Sequence, residues 1–277
     1  MRDLVPRLYR PVRPVAERLG VHPFLLKMYS RLKKPIYRIK CWKNSGFVEI
    51  SINGIDCVFF IDDADGYKWI ANYGMEKDII NRILRSLSSG DIYWDVGANI
   101  GLHTIFPAKK VNSGTVLAFE PHPSNSSRLK KNIDINDLDN IDVMDVALSD
   151  ADSSMELKLE DPDPGAGGNT LKSENRSGGL FQDSDTISVN CISGDGLIDA
   201  GHKIPETIKI DVEGAEMEVI KGMEGILSND KCTNVFCEVH RHYSVSKEEY
   251  QNRMKQFGFD SEVINETKIQ TFFYSHK

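Results

Sequence analysis

The sequence lacks any apolar stretch long enough to cross a membrane as a helix, and no signal-peptide pattern stands at its start. It also lacks internal repeats and low-complexity segments, so a repeat architecture is not expected. Cysteines are few, odd in number and scattered, which argues against a disulfide framework (Cys41, Cys57, Cys191, Cys232 and Cys237). Together these absences favour a reduced, cytoplasmic setting.

Positive charge is scarce over most of the chain. The net charge is −7, yet the segment up to Lys43 carries twelve Lys or Arg against Asp3 and Glu17, a net +10 that leaves −17 for the remainder. Because phosphate binding depends on Lys and Arg, the acidic remainder argues against nucleic acid as a partner. The basic arm is a candidate for peripheral contact with the inner face of a membrane, or for packing or a homodimer contact.

The 277 residues suffice for one large α/β domain with extensions. We expect a basic, proline-containing arm over residues 1–45, with its best helix candidate at Pro23 to Lys34. Residues 46–90 are expected to form a hairpin and a helix that cover the core, and residues 91–277 the main domain.

The covering segment shows two local patterns. Alternating apolar residues from Phe47 to Phe60, interrupted by Asn53-Gly54, predict a β-hairpin. The apolar spacing from Glu76 to Leu87 predicts an amphipathic helix that ends near Gly90.

In the main domain, apolar strands alternate with helices, which predicts a mostly parallel sheet with right-handed crossovers and helices on both faces. The last two strands have hairpin spacing, so one antiparallel strand is expected. The predicted strands are Ile92–Trp94, Thr115–Phe119, Ile141–Leu148, Met155–Leu159, Thr186–Ile192, Thr207–Ile210, Asn234–Val239, Asp260–Ile264 and Ile269–Tyr274. The predicted helices are Leu102–Lys110, Pro123–Asn132, Asp195–Asp199, Glu213–Met223 and Lys247–Phe257.

Two stretches depart from this pattern. Pro107 lies inside a predicted helix and removes one of its hydrogen bonds, so we expect a kink there or a restart at Phe106. The segment Asp161 to Asp185 is long and rich in Gly, Asp, Ser and Asn, and we expect it to act as a substrate lid.

The stretch Asp95-Val96-Gly97-Ala98-Asn99-Ile100-Gly101 follows an apolar strand and leads into a helix. Gly97 and Gly101 let the backbone double back and let a ligand approach closely. The start of the helix offers free N–H groups to that ligand. This pattern predicts a nucleotide-cofactor site at the end of the first parallel strand.

Spacing and charge separate the candidate cofactors. The glycines do not follow G-x-G-x-x-G, which disfavours a pyrophosphate. Asp95 would repel phosphates but attract a sulfonium, so S-adenosylmethionine is favoured over NAD. Glu120 closes the next strand, about 20 residues further on, where a carboxylate can accept both ribose hydroxyls.

Four ordered motifs resemble those of the FkbM-type methyltransferases, S-adenosylmethionine-dependent class I enzymes that mostly methylate oxygen. These motifs are Asp95 to Gly101, Phe119 to Pro123, Ala147 to Asp150, and Ile208 to Glu216. The resemblance implies a Rossmann-like class I methyltransferase fold. The cofactor-binding candidates are Glu76, Asp95, Gly97, Asn99, Gly101, Glu120, Pro121, Asp145 and Ala147.

Three of these candidates have roles that the resemblance implies. Asp145 would accept a hydrogen bond from the adenine amine, with Ala147 beside the ring, although a turn carboxylate without a ligand is the alternative for Asp145. Glu76 is a cofactor contact or simply a solvated acid at a helix start.

Methyl transfer from a sulfonium requires an acceptor oxygen held near the methyl group and a group that removes its proton. In a parallel sheet such groups gather at the carboxyl ends of the strands, where we expect the catalytic side chains Asp211, Glu213, Glu238 and His240. Asp211 would orient the acceptor, and His240 or Glu238 would remove the proton, since an imidazole pKa of about 6.5 suits that task. The alternative is that Glu213 complements a helix dipole and that His240 lies on the surface.

A metal site is weighed at two places. Cys232, Cys237, His240 and His242 lie close in sequence, but Cys237 falls in an apolar strand pattern, so a buried, inert thiol is preferred. The acids near the predicted active site leave open whether a divalent ion is required.

The sequence thus predicts an S-adenosylmethionine-dependent methyltransferase. By resemblance its acceptor is a small-molecule or glycan hydroxyl, on a glycan, a lipid-linked sugar or a secondary metabolite. A non-catalytic S-adenosylmethionine-binding subunit is the main alternative, and an NAD-dependent oxidoreductase is less favoured.

Overall fold

The computed structural model describes six stretches of the chain, residues 46–61, 74–158, 170–171, 186–240, 245–267 and 270–277. The arm over residues 1–45 lies outside them, and so does the expected lid apart from Thr170 and Leu171. Within these stretches, none of the helices is both long and apolar enough to cross a membrane.

The elements of the described residues follow one another along the chain as strands interspersed with helices. They are β1 (Phe47–Ile52), β2 (Ile55–Phe60), α1 (Gly74–Ser86), β3 (Ile92–Val96), α2 (Leu102–Val111), β4 (Thr115–Phe119), α3 (Pro123–Ile135), β5 (Ile141–Met144), β6 (Ala147–Ser149), β7 (Ser153–Lys158), β8 (Thr170–Leu171), β9 (Thr186–Ser193), α4 (Gly194–Asp199), β10 (Thr207–Ile210), α5 (Glu216–Lys221), α6 (Glu224–Ser228), β11 (Asn234–His240), α7 (Lys247–Gln256), β12 (Asp260–Glu266) and β13 (Gln270–His276).

A seven-stranded sheet lies at the centre, in the order β12-β13-β11-β10-β3-β4-β5. Neighbouring strands run parallel, except that β13 is antiparallel to both β11 and β12. This confirms the predicted α/β fold with one antiparallel strand. Because β3, β4, β10 and β11 are parallel, their carboxyl ends meet at one edge of the sheet.

Helices cover both faces of this sheet, as expected. The Tyr93 side chain of β3 packs with residues of α1 and α2, whereas that of Trp94 packs with residues of α5, α6 and α7. Both side chains are fully buried, since successive residues of a strand point to opposite faces. The first parallel strand is therefore held on both sides, which gives the turn after it a rigid base.

The predicted hairpin is present as β1 and β2, paired antiparallel along their whole length. Asn53 and Gly54 at its turn have positive φ angles of 53° and 76°, as a two-residue hairpin turn requires. The side chain of Asn132 in α3 accepts a hydrogen bond from the Phe60 amide at 2.7 Å. The hairpin is thus fastened to one flank of the core.

The predicted strand Ile141 to Leu148 is wrong as a single element. The chain leaves the central sheet after β5 at Met144, and β6 pairs in parallel with β9 in a separate four-stranded sheet ordered β6-β9-β7-β8. β5 lies at the edge of the central sheet, so its backbone has a neighbour only in β4, whereas Ala147 to Ser149 find partners in β9.

The predicted helix Glu213 to Met223 is also wrong in its start and its continuity. Glu213 and Gly214 have φ angles of 52° and 101°, which a right-handed helix cannot contain, so α5 begins only at Glu216. It ends at Lys221, and α6 follows as a second short helix.

Helix α2 runs as one element with Pro107 inside it, so the predicted restart at Phe106 is wrong. Most of its residues are buried, including Phe106, Pro107 and Ala108. Packing around the helix therefore outweighs the hydrogen bond that proline removes.

The described cysteines are free and buried (Cys57, Cys191, Cys232 and Cys237). Burial raises the pKa of each of these thiols. Such properties are those of unreactive core thiols.

Candidate cofactor and acceptor cavity

A cavity opens at the carboxyl edge of the central sheet, beyond the ends of β3, β4, β10 and β11. Its empty volume is about 1090 Å³ including the open mouth, at the upper end of the roughly 300–1,000 Å³ typical of ligand pockets. One wall, here called the turn side, includes Gly97, Ala98, Asn99, Glu120, Pro121 and Ala147. A second wall, here called the acidic side, includes Glu76, Asp211, Glu213, Glu238, His240 and Gln270.

The glycine turn is tied to the end of β4. The amides of Gly97 and Ala98 both donate to the carbonyl oxygen of Phe119 at 3.0 Å, and the amide of Asn99 donates to Glu120 Oε2 at 2.7 Å. Three amides that a phosphate-binding turn would present to its ligand are therefore already engaged. The expected free N–H groups belong to the start of α2, which begins at Leu102, and their role in ligand binding stays a prediction.

Gly97 lies where the turn side meets the acidic side. Its φ is 80°, and a Cβ atom at this position would stand 1.9 Å from the carbonyl oxygen of Asp211. Only a glycine permits this approach. Gly101, with φ 98°, packs instead against Leu129, where a Cβ would stand 2.5 Å from Cδ1.

Asp95 lies behind the cavity and not in its lining. Its carboxylate is fully buried, accepts a hydrogen bond from Thr104 Oγ1 at 2.6 Å, and pairs with Lys209 Nζ at 3.2 Å. The expected direct attraction between Asp95 and a bound sulfonium therefore has no support from this placement. Its negative charge acts on the site through Lys209.

Lys209 is a buried lysine in the middle of β10 that lines the cavity floor. Its ammonium donates to the carbonyl oxygen of Gly97 at 2.8 Å and lies 3.7 Å from Asp211 Oδ2. Burial acts to lower the pKa of Lys209, but the charges of Asp95 and Asp211 raise it above its ordinary value. The lysine is therefore a cation that supports the glycine turn from below.

Glu120 is in the position that the sequence predicts, at the end of β4 on the turn side. It is nearly buried and accepts hydrogen bonds from the amides of Asn99 and His122, at 2.7 and 2.9 Å. Burial raises the pKa of Glu120 to about 7, although these amide hydrogen bonds act to lower it. The carboxyl group thus titrates near neutral pH and faces the cavity.

Glu76, at the start of α1, lines the acidic side, so it is not a solvated helix start. Its Oε2 lies 3.2 Å from Nε2 of His103, a buried residue of α2. Burial, and then the neighbouring Asp211, raises the pKa of Glu76 to about 7. Burial holds the pKa of His103 well below its ordinary value, so this imidazole is neutral.

The four predicted catalytic residues come together on the acidic side. His240, at the end of β11, is buried and lies between two acids: its Nε2 is 3.1 Å from Glu213 Oε2, and its Nδ1 is 2.7 Å from Glu216 Oε1. Both ring nitrogens therefore face carboxylates. Glu238 lies two positions earlier on the same face of β11 and is 6% exposed.

The environment of His240 contradicts the expectation of an unperturbed imidazole. Burial acts to lower the pKa of His240, but the hydrogen bond with Glu216 and the charges of Asp211 and Glu213 raise it to about 10. The ring is thus protonated at neutral pH in this structure. Burial and the neighbouring Asp211 raise the pKa of Glu238.

Asp145 lies apart from the cavity lining, in a surface depression with Pro121, Ser126 and Lys130. Lys130 Nζ pairs with its carboxylate at 2.7 Å, and the Ser126 hydroxyl donates to it. Ala147, two positions later, is buried and lines the turn side. The adenine contact proposed for Asp145 remains a prediction.

Sequence reasoning assigned no role to two residues that organise the site, Lys209 and Glu216. A charged residue inside the apolar strand Thr207–Ile210 is a detectable signal, because a buried lysine needs a partner. Glu216 has a weaker signal, since an acid in the first turn of a helix is common. Its side chain is fully buried, and its Oε1 also accepts from the Gly214 amide at 2.8 Å.

Comparison with known proteins gives concordant results. The sequence profile of the methyltransferase FkbM domain matches residues 95–261. The hexuronic acid methyltransferase AglP of Haloferax volcanii is 28% identical over 222 residues, which are 80% of this chain and 85% of AglP. Methyltransferase 1 of Beauveria bassiana is 28% identical over 147 residues, 47% of this chain and 57% of that protein.

Among solved structures, methyltransferase FkbM from Methylobacillus flagellatus is similar at 17% identity and a TM-score of 0.47. The similarity covers 69% of this chain and 44% of that one, and at this level it carries no functional argument. The domain match extends over more than half of the chain and includes the glycine turn, Glu120 and four residues of the acidic side, Asp211, Glu213, Glu238 and His240. The chain therefore belongs to the FkbM methyltransferase family.

Proposed function

We propose that this protein transfers a methyl group from S-adenosylmethionine to a hydroxyl oxygen of a sugar or sugar-like acceptor. When bound, S-adenosylmethionine would supply a methyl group on a sulfonium, so that an O–C bond forms, the C–S bond breaks to a neutral thioether, and the hydroxyl proton passes to the protein. One observation carries the proposal: the glycine turn, whose amides are already hydrogen-bonded, lies directly beside a group of acidic side chains where Gly97 contacts Asp211.

The turn side fits a cationic nucleoside better than a pyrophosphate. The amides of Gly97, Ala98 and Asn99 are engaged, which removes the donors that a phosphate would need. Glu120 faces the cavity with a carboxylate that can accept from ribose hydroxyls. The Oδ1 atom of Asn99 is buried without a hydrogen-bond partner among the described residues, and an ammonium group could donate to it.

The charge of the acidic side also suits a sulfonium. Glu76, Asp211, Glu213 and Glu238 all line the cavity. Burial and Asp211 raise the pKa values of Glu76 and Glu238, and a nearby sulfonium would favour their charged forms, because opposite charges attract most strongly where water is partly excluded. These carboxylates would disfavour a bound phosphate for the same reason. NAD is therefore a poor match to both walls.

We infer that Glu238, rather than His240, removes the proton from the acceptor. Both nitrogens of His240 face carboxylates, at 3.1 and 2.7 Å, which leaves neither for an acceptor hydroxyl. Glu238 lines the cavity and has no hydrogen bond or ion pair with any described residue. Asp211, which borders the glycine turn, would orient the hydroxyl beside the methyl group.

One relative supports a sugar as the acceptor. AglP is named as a hexuronic acid methyltransferase and matches most of this chain. We expect methylation of a hydroxyl oxygen on a uronic acid or another glycan unit, free or lipid-linked. A secondary metabolite with a similar hydroxyl is the second candidate.

The test is to incubate the full chain with S-adenosylmethionine that carries a deuterated methyl group and with glucuronic acid, glucose or N-acetylglucosamine, with and without an added divalent metal. Mass spectrometry would report the added methyl group, and fragmentation its position. We expect transfer to a hydroxyl oxygen of at least one sugar, and slower transfer by Glu120→Gln at low cofactor concentration. Binding without transfer to any sugar would overturn the sugar acceptor, and stabilisation by NAD alone would overturn the cofactor.

A further inference from the structure

Three potential metal ligands converge on the acidic side from two neighbouring strand ends. Asp211 and Glu213 follow β10, and His240 ends β11, and one ligand atom from each lies within 4.8 Å of the other two. Ligand atoms of one transition-metal ion are roughly 3–4 Å apart, because metal–ligand distances are about 2.1 Å. A small movement of these side chains would therefore bring all three atoms onto one ion.

The orientation of His240 is independently fixed in a way that suits a metal ligand. Its Nδ1 is 2.7 Å from Oε1 of Glu216, which is fully buried and also accepts from the Gly214 amide. Metal-binding histidines almost always donate their second ring nitrogen to such a carboxylate. This contact directs Nε2 toward Glu213 and the cavity.

Glu238 adds a further acidic group beside these three potential ligands. Its side chain is more than nine-tenths buried, lines the same cavity, and has no hydrogen bond or ion pair with any described residue. Acidic groups gathered on one side of a cavity repel one another, and a bound divalent cation would relieve that repulsion.

We propose that Asp211, Glu213 and His240 hold a divalent metal ion, with Glu216 as the positioning residue for His240. Two carboxylates and one imidazole suit Mn²⁺ or Zn²⁺ better than Mg²⁺, which prefers oxygen ligands alone. Three protein ligands leave coordination positions open for a substrate oxygen, as in catalytic metal sites.

The ion's role in acceptor binding rests on the proposed methyl transfer. A sugar offers two neighbouring oxygens, either vicinal hydroxyls or a hydroxyl beside a carboxylate, and these can bind one ion together. The ion would thus place the acceptor oxygen beside Asp211 and Glu238 and neutralise the repulsion between the acidic side and a sugar acid. It would explain how an acidic wall accepts an anionic sugar.

The binding test uses the full chain after removal of metals with EDTA, without cofactor or acceptor, titrated with Mn²⁺ and followed by electron paramagnetic resonance. We expect one saturable Mn²⁺ site per chain and a spectrum with coupling to one ligand nitrogen. Asp211→Asn and Glu213→Gln should each weaken Mn²⁺ binding at least about tenfold, and His240→Gln should also remove the nitrogen coupling. The exposed Glu248→Gln of α7 is the matched control and should bind as the unmodified chain does.

Glu216→Gln tests the positioning role. It should weaken Mn²⁺ binding roughly 10–100-fold and alter the nitrogen coupling, while the affinity for S-adenosylmethionine stays unchanged. Circular dichroism and cofactor binding would verify that each variant is folded. Absence of saturable Mn²⁺ and Zn²⁺ binding by the unmodified chain, or equal binding by all the ligand variants, would overturn the metal site. Neither result would affect the sugar methylation assay, so the two proposals can fail separately.

Discussion

The Nζ atom of Lys209 in β10 donates a hydrogen bond to the carbonyl oxygen of Gly97, in the turn after β3, at 2.8 Å. The same ammonium pairs with the buried carboxylate of Asp95. The glycine turn is therefore anchored from below by a buried charge pair, and its shape depends on a residue of β10. This relationship makes the cofactor site sensitive to changes that never touch a ligand.

Lys209→Met should strongly destabilise the fold. Removing one member of a buried pair leaves Asp95 uncompensated, which typically costs about 3–5 kcal/mol of unfolding free energy. Urea unfolding would measure it. The double variant Asp95→Asn/Lys209→Met should recover part of the loss, and Lys221→Met, which breaks the exposed pair with Asp150 at 2.7 Å, should cause no measurable change. Equal stability of Lys209→Met and the unmodified chain would show that the buried pair contributes nothing.

Gly97→Ala should abolish tight binding of S-adenosylmethionine. A Cβ atom 1.9 Å from the Asp211 carbonyl oxygen forces the backbone apart, in addition to the strain of a positive φ. Gly201→Ala is a matched control, because Gly201 has φ 98° and nothing within 4 Å of a Cβ, so only strain of roughly 1–2 kcal/mol is expected. Calorimetry should show a cofactor affinity at least tenfold weaker for Gly97→Ala but not for Gly201→Ala. A tenfold change corresponds to a loss of about 1.4 kcal/mol of binding free energy. Similar affinities for the two variants would argue against the contact.

Cofactor affinity should rise with pH through neutrality. The pKa of Glu120 is raised from 4.5 to about 7, so its carboxylate, which accepts from hydroxyls, forms only above that range. Between pH 7 and 6 the affinity should fall by at most about tenfold per pH unit. Glu120→Gln should flatten the dependence of cofactor affinity on pH. Glu76→Gln should leave the part of that dependence that arises from Glu120 unchanged. A flat profile for the unmodified chain would remove Glu120 from the ribose site.

The same pKa shift has an opposite effect on the stability of the cofactor-free protein. Because the folded-state pKa of Glu120 lies above 4.5, its stabilising contribution is complete below about pH 4.5 and is lost as pH rises toward 7. Thermal unfolding above pH 7 should therefore show Glu120→Gln to be more stable than the unmodified chain, with a smaller difference at pH 5. A larger gain at pH 5 than at pH 8 would contradict the shift.

Glu238→Gln should remove most of the methyl transfer without affecting cofactor binding. The substitution keeps the size of the side chain but removes its ability to accept a proton, a loss of roughly 10²–10⁴-fold in turnover. Single-turnover assays with a sugar found to be a substrate would measure this step directly. Glu248→Gln controls for the change in net charge, and near-normal turnover of Glu238→Gln would return the search to Asp211.

Much of the fold follows from local patterns. The apolar run before Asp95, the Asn53-Gly54 turn and the hairpin spacing of the last strands each predict an element that the structure contains. The division between β5 and β6 could not be predicted, because it depends on pairing with Cys191 and its neighbours, far along the chain. The prediction that Glu213 lies in a helix failed because its φ is positive. A positive φ is rare outside glycine, so the sequence gives no sign of it.

The sequence predicts which residues lie at the site better than it predicts which contacts those residues make. Glu120 and the four acidic-side candidates lie on the cavity because strand ends place them there. The environment of His240 was not predictable, since it depends on Glu216, whose burial arises only when α5 packs beside β11. Charged side chains respond to neighbours in three dimensions, which spacing alone does not report.

The missing side chain at Gly97 has a thermodynamic consequence. Its backbone lies directly against the carbonyl of Asp211, so we expect a ligand that shifts the turn also to shift Asp211, the residue proposed to orient the acceptor. Any such coupling must be reciprocal: the factor by which an acceptor changes the dissociation constant of the cofactor equals the factor by which the cofactor changes that of the acceptor. The demethylated cofactor lacks both the methyl group and the positive charge. We therefore expect the methylated product to bind more weakly beside the demethylated cofactor than the acceptor binds beside S-adenosylmethionine.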